Sequence, residues 1–260
     1  MQVFETGSVH LHWSEAGDAA GTPVVFINSL GTDLRLWDGV LPHLAPGLRV
    51  LRFDKRGHGL SSCPPAPYAL ADLVADTEAL LEARGIRNCI LVGCSIGGMM
   101  AQTLAARRPD LVSALVLTNT ASKIGDAASW QARIAAIKAD GLASIAEGVM
   151  ARWFSAAFRA TPELALWQTM LSRTPLEGYI GCCSAIAGAD LTALSAQLDL
   201  PVLVIAGGQD AASPPETVRA MAEAIPGADF KLIEHVGHLP SVEAPEALAE
   251  ILNTFIQEVS

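Results

Sequence analysis

The sequence predicts an α/β fold, a mainly parallel sheet with helices on both faces, interrupted by a helical lid. Six short β-branched runs, at 24–28, 50–54, 90–93, 115–119, 202–207 and 230–234, are mainly apolar rather than alternating. That pattern suits strands covered on both faces. Helical stretches at 69–83, 96–107, 215–224 and 245–258 lie between and after them, and strand alternating with helix implies parallel pairing. The rhythm fails once, over 123–190, where no strand-like run appears and Ala, Met and Trp are abundant. Residues 1–122 and 191–260 are therefore assigned to the core, and 123–190 to a lid inserted at the carboxyl edge of the sheet.

Taken in order, the elements begin with an alternating amino-terminal strand whose His10 and His12 read as surface residues. The 24–28 run opens into Asn28-Ser29-Leu30-Gly31, and His43 falls in a helix beyond that loop. The 50–54 run opens into Asp54-Lys55-Arg56-Gly57-His58-Gly59, and the 90–93 run into Cys94-Ser95-Ile96-Gly97. In the lid, six basic residues (Lys123, Arg133, Lys138, Arg152, Arg159, Arg173) balance six acidic ones, so the whole net charge of −10 belongs to the core. Three of the five tryptophans, Trp130, Trp153 and Trp167, also fall there. A neutral, Trp-rich lid over an acidic core suits a small anion; it is equally the pattern of an ordinary helical layer with solvated charges.

Composition excludes several classes. With 51% hydrophobic and 17% charged residues in 260, the chain can bury a full core. Seventeen basic against 27 acidic residues, with no basic block, make nucleic acid a poor partner. The longest weakly polar run, 89–101, falls short of the roughly 18 apolar residues of a membrane span. The amino terminus lacks the charged and apolar regions of a secretion signal, so a cytoplasmic protein is expected. The five cysteines form no C-x-x-C pair and no zinc spacing, and adjacent Cys182 and Cys183 are expected as two reduced core groups. No metal site is expected.

Gly93-Cys94-Ser95-Ile96-Gly97 reads G-x-S-x-G directly after an apolar strand and before a helix, the context of a nucleophile elbow. Its serine needs a base that a carboxylate orients. On this type of sheet the chain order is serine, acid, histidine, which excludes His58 and favours His238 in Glu234-His235-Val236-Gly237-His238, with His235 in reserve. Asp210, just past the 202–207 strand, is the acid; Asp199 would lie at the opposite edge. The oxyanion donors are assigned to the backbone N–H groups of Ile96, after the nucleophile, and Leu30, in the loop after the first apolar strand.

These residues resemble an α/β-hydrolase from about Trp13 to Ile256. Within that superfamily the chain is similar to the 3-oxoadipate enol-lactone hydrolases. The selective segments are Asn28-Ser29-Leu30-Gly31-Thr32-Asp33 and Gly181-Cys182-Cys183-Ser184-Ala185-Ile186; Asp54-Lys55-Arg56-Gly57-His58-Gly59, Ser95-Ile96-Gly97-Gly98 and Lys123-Ile124-Gly125 accompany them. Asn28-Ser29 departs from the His-Gly of the wider superfamily, which either makes Ser29 a candidate substrate contact or alters only the loop. The resemblance implies a small anionic lactone substrate and no metal or organic cofactor. Arg133, one turn beyond Trp130, is then the first candidate for the substrate carboxylate, with Lys123, Arg152 and Trp153 next. For each of these a solvent-facing charge or a packing aromatic is the competing assignment. The rival functions are a general carboxylesterase, a perhydrolase or a carbon–carbon bond hydrolase on the same fold, and a non-catalytic receptor. A dehalogenase is disfavoured because Ser95 stands where its nucleophilic aspartate would be.

Overall fold

The computed structural model describes residues 2–7 and 9–260. Among them one sheet runs in the order β1-β2-β4-β3-β5-β6-β7-β8. Its strands are β1 (Gln2–Thr6), β2 (Val9–Gly17), β3 (Thr22–Ile27), β4 (Leu48–Phe53), β5 (Cys89–Cys94), β6 (Val112–Thr118), β7 (Val202–Gly207) and β8 (Asp229–Ile233). β2 runs antiparallel to both β1 and β4, and every pair from β4 to β8 is parallel. The six apolar runs are six of these strands, within three residues at either end. β5 and β7 are buried at every position, as side chains sandwiched between helical layers must be. Edge strand β1 was not expected from the sequence: it is short, and three of its five residues are exposed.

The helices are α1 (Leu70–Ala83), α2 (Ile96–Arg107), α3 (Ala127–Asp140), α4 (Ala146–Trp153), α5 (Ala156–Arg159), α6 (Leu164–Ser172), α7 (Leu176–Ala187), α8 (Thr192–Ser195), α9 (Pro215–Ala224), α10 (Pro240–Glu243) and α11 (Pro245–Val259). The crossovers through α1, α2 and α9 all step the same way across the sheet, so right-handed connection places them on one face. The β3–β4 connection steps the other way and covers the opposite face. There α11 joins it, burying the stripe Leu248, Leu252, Phe255 and Ile256. Asn253 pins the two together, accepting from Ala45 N at 2.8 Å and donating to His43 O at 2.9 Å.

The chain leaves β3 toward β4 and leaves β5 toward β6, in opposite directions, so the loops after these neighbouring strands diverge and leave a crevice, the usual place for a ligand in an open parallel sheet. Between β6 and β7 the helices α3 to α7 form the insertion. Its two ends meet at a neck, where Leu191 N donates to Ser122 O at 2.8 Å and Lys123 Nζ lies 3.0 Å from Asp190 Oδ2. Cys182 and Cys183 are free and buried in α7, as two small core groups. Among the described residues no helix is long and apolar enough to cross a membrane.

Candidate active site

Ile27 of β3 lies in register with Gly93 of β5, so the two strands deliver Asn28-Ser29-Leu30 and Cys94-Ser95 side by side. Ser95 takes φ 57° and ψ −120°, a left-handed conformation that stores about 1–3 kcal/mol in a residue with a side chain. The flanking glycines follow from crowding at this turn: a Cβ on Gly93 would strike the Gly97 backbone, and one on Gly97 would strike the Ile27 carbonyl. The strain is held from β6, where Thr118 O accepts from Ser95 N at 3.1 Å and Thr120 Oγ1 donates to Ser95 O at 2.6 Å. Cys94 points away from the nucleophile, its thiol 3.7 Å from the His238 carbonyl.

Asp210, three residues past β7, meets His238 Nδ1 through Oδ2 at 2.8 Å. Its other oxygen accepts from Ala212 N at 2.7 Å and Ser213 N at 2.9 Å. Asn119 Nδ2 adds a bond to Oδ2 at 2.9 Å and reaches Gly237 O at 3.2 Å, bracing both the acid and the histidine loop. The sequence reading missed Asn119, absorbing it into the end of the β6 run. With Nδ1 committed to Asp210, the hydrogen-bond pattern leaves Nε2 to take a proton. The acid and histidine chosen from the sequence thus meet directly, in the chosen chain order.

The loop after β3 is fixed on every side. Asn28 donates to Phe53 O at 2.7 Å and accepts from Trp37 Nε1 at 2.9 Å. Lys55 Nζ donates to Ser29 O at 2.6 Å, and His58 Nε2 accepts from Gly31 N at 2.9 Å. Among the described residues no protein acceptor meets the N–H of Leu30 or Ile96. His58 therefore approaches the site as a brace. Burial, with Lys55 adding to it, holds its pKa well below the usual histidine value, so it stays neutral. His12, expected at the surface, instead bonds Asp54 at 2.8 Å with only 16% of its side chain exposed, because β2 lies beside β4 and turns that residue toward the aspartate.

Ser95 and His238 line a cavity of about 30 Å³, together with Ser29 and Leu30 and with Trp130, Arg133, Arg152 and Trp153 of the insertion. The Ser29 hydroxyl is buried with no partner. Arg133 lies on α3 with its guanidinium 4.9 Å from the Trp130 ring, as their three-residue spacing requires. The Trp153 ring stacks near His238, centroids 6.5 Å apart. Burial first, and then Arg133, pulls the Arg152 guanidinium below its ordinary pKa. Lys123 is not brought to this cavity: it is 55% exposed and pairs with Asp190 at the neck, because the insertion's first residue lies at its base and not over the serine. Tyr179 of α7, which the sequence reading did not single out, completes the wall. A larger groove of about 910 Å³, walled by Leu34, Leu60, Leu166 and Trp167, includes neither Ser95 nor His238. Ser95, His238 and Leu30 all line the small cavity. Among the described residues no cluster of three or more His, Cys, Asp or Glu side chains could hold a metal.

Such a site can attack a carbonyl with Ser95 and hold the resulting oxyanion. Comparison with known proteins points the same way. The 3-oxoadipate enol-lactonase 2 of Acinetobacter baylyi is 35% identical over 241 residues, covering 92% of this chain and 90% of that one. The crystal structure of the enol-lactonase from Burkholderia xenovorans LB400 superposes with a TM-score of 0.94 at 33% identity, over 98% of this chain and 100% of that one. A thermophilic esterase from Thermogutta terrifontis, solved with malate bound, superposes at 0.92 with 27% identity, over 100% and 99%. The profile of the alpha/beta hydrolase family matches residues 24–251, a span that runs from β3 into α11 and takes in the elbow, the acid and the histidine; this chain belongs to that family.

Proposed function

We propose that the protein is a serine hydrolase that opens the lactone ring of 3-oxoadipate enol-lactone through an acyl-enzyme, releasing 3-oxoadipate. The observation that carries this reading is the pair of guanidinium groups, Arg133 and Arg152, in the cavity of Ser95. Among the described residues neither pairs with an acidic side chain, and Arg133 disfavours the charge on Arg152. Like charges in a partly desolvated site are stabilised by an anion between them, so the substrate carries a carboxylate beside its scissile ester. The two enol-lactonases of Acinetobacter baylyi, 35% and 32% identical, support the lactone in particular.

In this mechanism His238 takes the Ser95 proton as Oγ attacks the lactone carbonyl, and the Leu30 and Ile96 N–H groups hold the oxyanion. Collapse breaks the ring ester bond. The ring oxygen takes the proton from His238 and leaves as an enol that stays tethered to the acyl chain and tautomerises to the ketone. Water, deprotonated by His238, then attacks the acyl-enzyme; Ser95 recovers its proton and 3-oxoadipate departs. In this reading the unpaired Ser29 hydroxyl contacts the substrate once the cavity opens. A 30 Å³ cavity holds roughly one or two waters, so a six-carbon substrate enters only as the insertion's side chains draw back from Ser95.

The test is the ultraviolet decay of freshly generated enol-lactone with wild type beside Ser95→Ala. Fast decay lost in the variant supports the proposal. No decay from a folded enzyme that reacts with a fluorophosphonate discards the lactone and keeps the hydrolase. Rapid turnover of short p-nitrophenyl esters with an inert lactone would make it a general carboxylesterase.

A further inference from the structure

We propose that Lys55 is a positioning residue of the oxyanion hole, its ammonium fixing the Ser29–Leu30 peptide so that the Leu30 N–H faces the cavity of Ser95. Among the described residues the only cis peptide is Ala66–Pro67, so the Ser29–Leu30 peptide is trans. In a trans peptide the carbonyl and the N–H point in opposite directions. Whatever holds Ser29 O on one side therefore aims Leu30 N–H to the other. Lys55 Nζ donates to that oxygen at 2.6 Å, Thr32 Oγ1 at 2.9 Å and Thr32 N at 3.3 Å. The neighbouring Gly31 N–H is already taken by His58, whereas among the described residues no acceptor meets the Leu30 N–H.

Of the three groups on Ser29 O, only Lys55 brings charge. A cation drawing on the carbonyl polarises the whole peptide and raises the partial positive charge at the N–H, where an oxyanion would lie. The ammonium is 1% exposed, and its hydrogen bonds go to two carbonyls, Ser29 O and, at 3.4 Å, Thr32 O. A buried cation satisfied in this way is a net burden on stability, and an apolar side chain of the same length would fill the space without it.

The groups that face Lys55 are Cys94 from β5, Cys182 from α7, Asp33 from the β3 loop, and Asp54 and His58 from its own segment. Burial is the largest influence and pulls the ammonium down to about 8, against weaker opposing effects of Cys182, Asp54, Asp33 and Cys94. Burial pushes both thiols up to about 12, and His58 is held neutral. Among the lysine, the thiols and the histidine of this cluster, Lys55 is thus the one that changes charge between pH 7 and 10.

Lys55 takes this role only if Ser95 is a nucleophile, as proposed above, but the identity of the lactone does not matter to it. The experiment measures p-nitrophenyl acetate hydrolysis from pH 6.5 to 10 by wild type and Lys55→Met, with fluorophosphonate labelling of Ser95 in the wild type. We expect labelling, a kcat lowered about 10- to 100-fold in Lys55→Met with KM within about twofold, and a wild-type kcat that falls reversibly through about pH 8. That alkaline fall should be absent from the variant. A wild-type kcat in Lys55→Met, or the same alkaline fall in it, overturns the proposal. Should Lys55→Met fail to fold, Lys55→Arg keeps a charge that does not titrate in this range; a kcat level to pH 10 supports the proposal and a retained fall overturns it. A wild type that no fluorophosphonate labels overturns the nucleophile itself, and the positioning role with it.

Discussion

Two histidine–aspartate pairs in this molecule close at the same distance, yet their surroundings differ. His12 Nδ1 and His238 Nδ1 each lie 2.8 Å from an aspartate Oδ2, of Asp54 and Asp210 respectively. Each aspartate is buried and follows a parallel strand, β4 or β7. Each is also tied to backbone: Asp54 accepts from Leu34 N and Leu60 N, and Asp210 from Ala212 N and Ser213 N. The pairs part on the far side of the ring. His238 shares its cavity with a strained serine and with Leu30, whereas His12 faces the 910 Å³ groove, where no strained serine stands among the described residues. A buried dyad is thus a way of fastening loops at the carboxyl edge of the sheet. It becomes a catalyst's base and orienter only where an elbow brings a nucleophile to it.

Breaking the triad should give the largest effects. Ser95→Ala is expected to lower kcat on the enol-lactone by about 10⁶-fold while binding persists, measured by initial rates and by equilibrium titration. Asp210→Asn should cost about 10⁴-fold in kcat, because an amide cannot hold the imidazole in the required tautomer. Arg133→Met and Arg152→Met should each raise KM for the lactone about 10- to 100-fold, the loss of one charge-assisted carboxylate contact, with a much smaller effect on an uncharged p-nitrophenyl ester. Unequal effects of the two variants would show which guanidinium carries the substrate. The other dyad supplies the smallest effect: His12→Gln should leave kcat within about twofold and lower stability by about 1–3 kcal/mol in denaturant titration, since Asp54 loses a buried partner. A collapse of kcat in that variant would erase the distinction between the two pairs.

The fold was legible because its central strands are sandwiched between helices, which leaves runs such as 202–207 apolar at every position. The turn at Ser95 and the Asp210–His238 contact were legible because G-x-S-x-G answers a local steric requirement, and because acid and histidine each follow a strand. What escaped the sequence reading depends on contacts across the chain. Asn119 directly follows β6, and nothing local marks it as a partner of Asp210, 91 residues on. His12 read as a solvent-facing residue because alternation along β2 carries no information about the end of β4. Lys55 read as part of a widely shared segment; a lysine without a carboxylate partner is rarely fully buried, and only the fold shows two backbone carbonyls around it. Lys123 was chosen for its place near the lid, and its true partner, Asp190, stands at the opposite end of the same insertion.

The cover of the cavity is bonded to the machinery beneath it. At the end of α4, Arg152 O accepts from Ala211 N at 3.3 Å and Trp153 O accepts from His238 N at 2.6 Å. The Glu243 carboxylate ties Ser155 N, at 3.1 Å, to Gly237 N, at 2.8 Å. The segment that carries Arg152 into the cavity therefore also seats the loops of Asp210 and His238. For protein engineering, residues 123–190 are not an exchangeable cartridge. A chimera that imports another hydrolase's insertion to change substrate preference must also import the matching loops around Asp210 and His238, or it will trade specificity for a misaligned base.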